Sequence, residues 1–244
     1  PEGQVVIIVD DKIVGCALSI IVNYNMVKGD HTYAQVTGNE TLAKLTFSKG
    51  VIMQFELHGF KSFDELLAFH CAPALTGIKP ANLVSCPTAS MPVVAPLLAD
   101  YTEQFADKGI AFEVLCHCAA RTLVLVYQPQ QLEDLLQKQA ISCYLQELGY
   151  KSGSVHSLLR QLGAKISCSQ DFPHEIGIFL GYPLADIQGF IKNKGKNCKC
   201  SGYWKVYDDV EHAKRLFDAY NKCRDRLLKA VAEGAPLHLA AASF

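Results

Sequence analysis

The side chains with the most chemistry to offer come in close pairs: His70-Cys71, Cys116-His117-Cys118, His174-Glu175 and Cys198-Lys199-Cys200. Thiolate and imidazole are the natural ligands of zinc and iron, and a four-ligand site can draw its pairs from distant segments. Structural zinc sites usually leave about two to four residues between paired cysteines, and this chain has no C-x-x-C. Buried, inert cysteine is the competing reading, because cysteine is among the most buried residue types.

The same residues admit two other chemistries. Lys194, Lys196 and Lys199 surround Cys198 and Cys200, and neighbouring ammonium groups stabilise a thiolate. A nucleophile also needs a base within hydrogen-bond reach, a role open to His174 or His70 if the fold brings one there. The run "KNKGKNCK" also suits an anion, with Lys194, Lys196 and Lys199 supplying charge and glycine allowing close backbone approach. Tyr203, Trp204 and Tyr207 could stack on a flavin or a base, but alternation in "YWKVY" places Trp204 and Val206 towards a core. His174-Glu175 begins like a metalloprotease H-E-x-x-H, yet position 178 is Ile. No G-x-S-x-G, P-loop or G-x-G-x-x-G occurs, so those hydrolase, NTPase and dinucleotide-binding motifs are absent.

The elements that must position these groups are mixed. "QVVIIV" (4–9) and residues 13–22 read as a β-hairpin, and "VIMQFEL" (51–57) as another strand. Ser62, with Glu65 three residues on, begins a helix in the manner of a capping box. "NLVSC" (82–86) is a strand, "PVVAPLLADYTEQFADKG" a helix ending at Gly109, and "IAFEVLCHC" with "TLVLVY" a second hairpin. Residues 130–148 are helical, and "SVHSLLRQLG" is a short helix stopped by Gly163. "EIGIFL" (175–180) reads as a buried strand. Pro183 opens a helix to about Asn193, with Asp186 near its positive end. After the strand "YWKVY", a last helix capped by Asp208 or Asp209 runs to Gly234. The expectation is an α+β fold: a mixed sheet with helices packed on it, behind a β-rich N-terminal segment.

The bulk numbers bound the partners. A net charge of −1 over 244 residues provides no basic field for nucleic acid. No apolar run approaches the ~20 residues of a membrane helix, so neither membrane nor nucleic acid is expected as a partner. The chain begins at Pro1 without an export signal, which fits a fragment or a processed chain. Ten cysteines without an export signal fit thiols kept reduced in a cytoplasm.

Three stretches carry a family resemblance: "FHCAPALTGIKPANLVSC" (69–86), "FPHEIGIFLGYPLADIQGFIKNKGKNCKCSGYWKVY" (172–207) and "AKRLFDAYNKC" (213–223). Over about 62–230 the chain resembles an uncharacterised bacterial family, domain of unknown function 3793, from anaerobic Gram-positive bacteria. The resemblance implies no established activity. Its members tend to be encoded near flavodoxin and iron-transport genes, which implies redox or iron physiology and a flavodoxin-like redox partner. The first 40 residues, "PEGQVVIIVDDKIVGCALSIIVNYN…HTYAQVTGN", are similar to central strands of the acetyltransferase-like domain that accompanies some carbon–nitrogen hydrolases. That likeness stops short of the acyl-CoA pyrophosphate turn.

The expected organisation is therefore a β-rich, acetyltransferase-like fragment at 1–60, an α+β domain at 61–235 and a tail at 236–244. The expected function is a cytoplasmic Cys/His-rich protein that binds zinc, iron or a redox cofactor. Its candidate ligands are His70, Cys71, Cys86, His174, Cys198 and Cys200, which lie inside the matching stretches, with Lys194, Lys196 and Lys199 for an anion. "CHC" (116–118) lies outside them and reads as strand packing. The alternatives are an N-acyltransferase using acyl-CoA and a non-catalytic or artificial chain with structural cysteines.

Overall fold

The computed structural model describes residues 62–87, 94–118, 121–168 and 172–244, together with the backbone of four short strands nearer the N-terminus. These four are β1 (Ile7–Val9), β2 (Lys12–Gly15), β3 (Leu42–Phe47) and β4 (Val51–Glu56). β1 pairs with β2 and β3 with β4, both antiparallel. β1, β2 and β4 fall on expected strands, whereas β3 was not anticipated. The remaining parts of the expected strands at 4–9 and 13–22 lie outside the described residues, as does most of the acetyltransferase-like stretch.

The body of the fold starts at α1 (Phe63–Leu75), whose first turn is closed by Ser62 Oγ accepting from the Glu65 N–H at 3.2 Å. α1 is apolar on nearly every side: Phe63, Leu66, Leu67, Ala68, Phe69, Cys71, Ala72, Ala74 and Leu75 are all buried. Such a helix belongs inside a core rather than upon one. It leads through a tight turn into β5 (Ala81–Pro87), followed by α2 (Ala95–Gln104). A single 3₁₀ turn then ends at Gly109, whose φ of +62° suits glycine.

β6 (Ala111–His117) and β7 (Arg121–Tyr127) complete a three-stranded sheet in the order β5-β7-β6. Every described pairing is antiparallel. The α+β class is as expected, but the sheet is not mixed, because β6 and β7 form a hairpin and β5 also runs against β7. β7 is the central strand, and Thr122 to Tyr127 are all buried. Side chains alternate across a strand, so Val124 and Val126 enter one apolar cluster with α1, while Leu123, Leu125 and Tyr127 enter another on the opposite face.

The second face is covered by α3 (Pro129–Leu136), α4 (Gln139–Glu147), α5 (Val155–Cys168), α6 (Ile176–Phe179) and α7 (Leu184–Lys192). The helix expected at 130–148 is two, because the backbone of Lys138 is extended and breaks the run. Gly163 does not stop α5. A Cβ there would stand 2.6 Å from the Leu115 carbonyl oxygen, so glycine is what lets α5 lie against β6. Within residues 175–180, expected as a strand, Ile176–Phe179 form α6 instead. A short apolar run bounded by turn residues suits either form, and here the ending decides. The N–H of Gly181 donates to Ile178 O and that of Tyr182 to Gly177 O, with Gly181 at φ +76°. This is the Schellman closure of a helix.

The chain ends with a small hairpin, β8 (Cys200–Ser201) and β9 (Lys205–Val206), then α8 (Val210–Ala232) and α9 (Leu237–Ala241). Asp209 caps α8 by accepting from the His212 N–H at 2.9 Å. Trp204 and Val206 turn inward, as alternation predicts, and join Ala213, Phe217 and Tyr220 of α8 in a third cluster. The stretch expected as a tail contains α9, whose Leu237, Ala240 and Ala241 pack into the cluster around α1.

Replacing Gly163 by Ala is expected to lower stability by about 1–3 kcal/mol through overpacking against Leu115, even though alanine favours a helix by ~1 kcal/mol. The effect would be read as a lower urea midpoint at unchanged slope.

Candidate functional site

The side chain that stands out is one the sequence motifs did not single out. Lys79 lies in the turn between α1 and β5, and only 2 % of it is exposed. The turn is held from several directions. The Lys79 N–H donates to Pro73 O at 3.0 Å, the Gln128 N–H to Pro80 O at 2.8 Å, and Gln131 Nε2 to Gly77 O at 2.7 Å. Asn82 Oδ1 accepts from the Ala74 N–H at 3.0 Å, and Thr76 Oγ1 shares a 3.0 Å hydrogen bond with Cys223 Sγ of α8. From the other side Gly181 sits so close to Pro80 that a Cβ would fall 2.5 Å from the proline ring.

Inside this frame the Lys79 ammonium has aromatic company. Its Nζ is 5.1 Å from the centroid of the Tyr182 ring and 5.7 Å from that of Tyr220. No carboxylate among the described residues forms an ion pair with it. Burial pulls the amine down to about 7, opposed in part by the nearby Cys71. Burial pushes the Cys71 thiol far up, and Cys86 beside it adds to the effect. The Cys86 thiol is pushed up to about 11 for the same reason.

A second layer holds the rings. Tyr182 stacks on Trp204 with centroids 4.9 Å apart, Trp204 meets Phe217 edge-on at 4.6 Å, and Tyr220 meets Tyr203 edge-on at 5.2 Å. Trp204 is anchored by its Nε1–H donating to Asp186 Oδ2 at 2.7 Å. Asp186 Oδ1 accepts from the N–H groups of Tyr207 at 2.7 Å and Asp208 at 2.9 Å. Asp186 stands in the first turn of α7, where a carboxylate is favoured as expected.

The candidates read from sequence fall in separate places. Cys71 of α1 and Cys86 of β5 do come together, within electrostatic reach of each other and fully buried in the cluster around α1. His70 is half-buried beside Phe69, its ring pushed down to about 4 by burial and by Arg224. His174 packs edge-on to Phe190 at 5.0 Å just before α6. Cys198 and Cys200 are half-buried at the small hairpin, with Cys200 against the third cluster. Among the described residues no three His, Cys, Asp or Glu side chains are grouped to hold a metal ion. The six candidate ligands are therefore not gathered by the fold into a set of three or more. Cys116 packs on the second cluster and Cys118 is exposed.

The lysine loop closes on itself. The N–H groups of Lys194, Gly195 and Lys196 donate to Ile191, Phe190 and Asn193 carbonyls. Lys194 occupies the left-handed position of the α7 ending at φ +50°. Lys199 Nζ donates to Asp208 O at 2.9 Å, and Lys205 Nζ to Gly195 O at 2.6 Å. Lys194 and Lys196 are exposed beyond the negative end of α7, where positive charge is favourable. The signal for Lys79 was nevertheless in the sequence: it is the one charged residue in the otherwise uncharged run 71–99.

Asp186→Ala would leave the Trp204 N–H and two backbone N–H groups without their acceptor. A loss of at least about 2–3 kcal/mol is expected. Because Trp204 is the sole tryptophan, a red shift of native fluorescence would report the loosened ring stack.

The comparisons with known proteins bear on identity. Searches of curated proteins and of solved structures return no match, so the acetyltransferase likeness of the first 40 residues is unsupported. The family described as "Protein of unknown function (DUF3793)" matches residues 67–240, a span that holds Lys79, both of its tyrosines and every candidate ligand. The chain belongs to that family.

Proposed function

We propose that the working centre of this protein is the buried amine of Lys79, used in its uncharged form as a nucleophile or proton acceptor near neutral pH. The observation that carries this reading is a lysine buried to 2 % exposure with two tyrosine rings near its Nζ and, among the described residues, no carboxylate paired with it. Taking an ammonium out of water without a counter-ion is costly, and an apolar side chain would fill the space without that cost. A strongly perturbed group in such surroundings marks a functional candidate on physical grounds. Lysines desolvated in apolar pockets are a standard source of neutral amine nucleophile.

A second reading keeps the metal or redox role expected from the sequence, and Cys71 with Cys86 favours it as a juxtaposed pair of free thiols. A flavodoxin-like redox partner belongs to this reading. Against it, burial holds both thiols protonated, and the thiolate is the form that binds metal or attacks a disulfide. Eight free cysteines among the described residues support a reducing compartment such as the cytoplasm. Protein purified without oxygen is expected to carry less than one equivalent of zinc or iron. A stoichiometric metal lost on Cys71→Ser would reverse the order of the two readings.

The Lys79 reading is tested by titration. The ¹³Cε resonance of Lys79, assigned with Lys79→Met, is expected to move with a midpoint of about 7, and a midpoint above ~10 would refute the reading. Stability should follow. Between the folded value and the ordinary lysine value the unfolded chain holds a proton that the native state lacks, so stability rises with pH across that window. Ionisation of Cys71 and Cys86 in the unfolded chain opposes this at higher pH, because both thiols are raised in the fold. Lys79→Met is expected to gain about 1–4 kcal/mol at neutral pH and below and to lose the rise above pH 7.

A further inference from the structure

We propose that the ligand of this centre is a small uncharged carbonyl compound, an aldehyde or ketone, held as an imine on Lys79 Nζ against the faces of Tyr182 and Tyr220. This rests on the Lys79 reading above and names its substrate class. Three observations select the class.

The first is the charge environment. Cys71 is the sole ionisable group of the described residues that perturbs Lys79, and Cys71 is a neutral thiol at working pH. Among the described residues no arginine or second lysine acts on the amine, so none is placed to neutralise a phosphate or a carboxylate there. A charged substrate would thus meet buried surroundings with no counter-ion among the described residues.

The second is the aromatic lining. An imine is neutral and suits apolar surroundings, and its protonated form is a delocalised cation that ring faces stabilise. Tyr182 and Tyr220 already present those faces at 5.1 and 5.7 Å from Nζ. The third is the position of the amine. It lies under a surface turn in which Ile78 is 45 % exposed while Lys79 is 2 % exposed. The residue just before the lysine thus faces solvent.

The step is balanced without an oxidant or reductant. The Nζ lone pair attacks the carbonyl carbon, a C–N bond forms, and a proton passes from nitrogen to oxygen to give a carbinolamine. The C–O bond then breaks and oxygen leaves as water with a second proton from nitrogen, leaving C=N. One carbonyl and one amine yield one imine and one water.

The test uses the whole chain. Propanal with cyanoborohydride at pH about 7 should alkylate Lys79 at least about tenfold faster than the exposed Lys194 and Lys196, since each unit of lowered pKa raises the neutral amine about tenfold. Peptide mass spectrometry reads the three sites in one sample. Cyanate, a general reagent for neutral amines, is run in parallel. Preferential labelling of Lys79 by both reagents supports the proposal. Labelling by cyanate but not by propanal overturns the carbonyl assignment and leaves the reactive amine standing. Preference by neither overturns both.

Discussion

A lysine amine placed where apolar clusters converge constrains much of this fold. Cys71, within electrostatic reach of Lys79, belongs to the cluster around α1; Tyr182 borders the second and third clusters; Tyr220 belongs to the third. For the amine to sit there the α1–β5 turn must be tight, so it is tied through Pro73, Gln128 and Gln131. The second residue after α6 must also come close, which explains a glycine, Gly181, pressed on the Pro80 ring. A polar group with so few partners is tolerated only where its surroundings are held by many other contacts.

The other buried charges are treated differently, and the contrast gives Lys79 its weight. Asp186 accepts three hydrogen bonds. Glu175 accepts from the Tyr150 hydroxyl at 3.1 Å and pairs with Lys165 at 3.4 Å. Lys165 in turn donates to Leu148 O at 2.7 Å and lies over the Tyr150 ring. These carboxylates are satisfied in the way buried charges ordinarily are, and they fasten helices together. Lys79 has ring faces in place of a counter-ion, an arrangement that stability alone does not call for.

The cysteines show how a chemical pattern in sequence becomes a packing pattern in space. Cys71, Cys86 and Cys223 are buried, and all three thiols are raised by desolvation. In that state sulfur behaves as a small apolar group with a weak hydrogen bond, as Cys223 does with Thr76. Cys200 opens a two-residue strand against the tryptophan cluster and Cys198 stands two residues before it, both remote in sequence from Cys71 and Cys86, which lie in the cluster around α1.

Sequence alone determined the features set by local rules: the Ser62 cap, a cap at Asp208 or Asp209 (the structure selects Asp209), the 111–127 hairpin, the inward face of "YWKVY" and the long final helix. Caps, alternation and helical period act within a few residues and are legible there. Tertiary structure decided the rest. Gly163 continues a helix because Leu115 of another strand needs the room. Residues 176–179 are helical because the Gly181 ending closes them, and that same ending delivers Tyr182 to Lys79. Paired cysteines and histidines in sequence were no guide to which side chains meet. Convergence depends on how distant elements pack, and a single buried lysine shows its consequence only once the rings around it are in place.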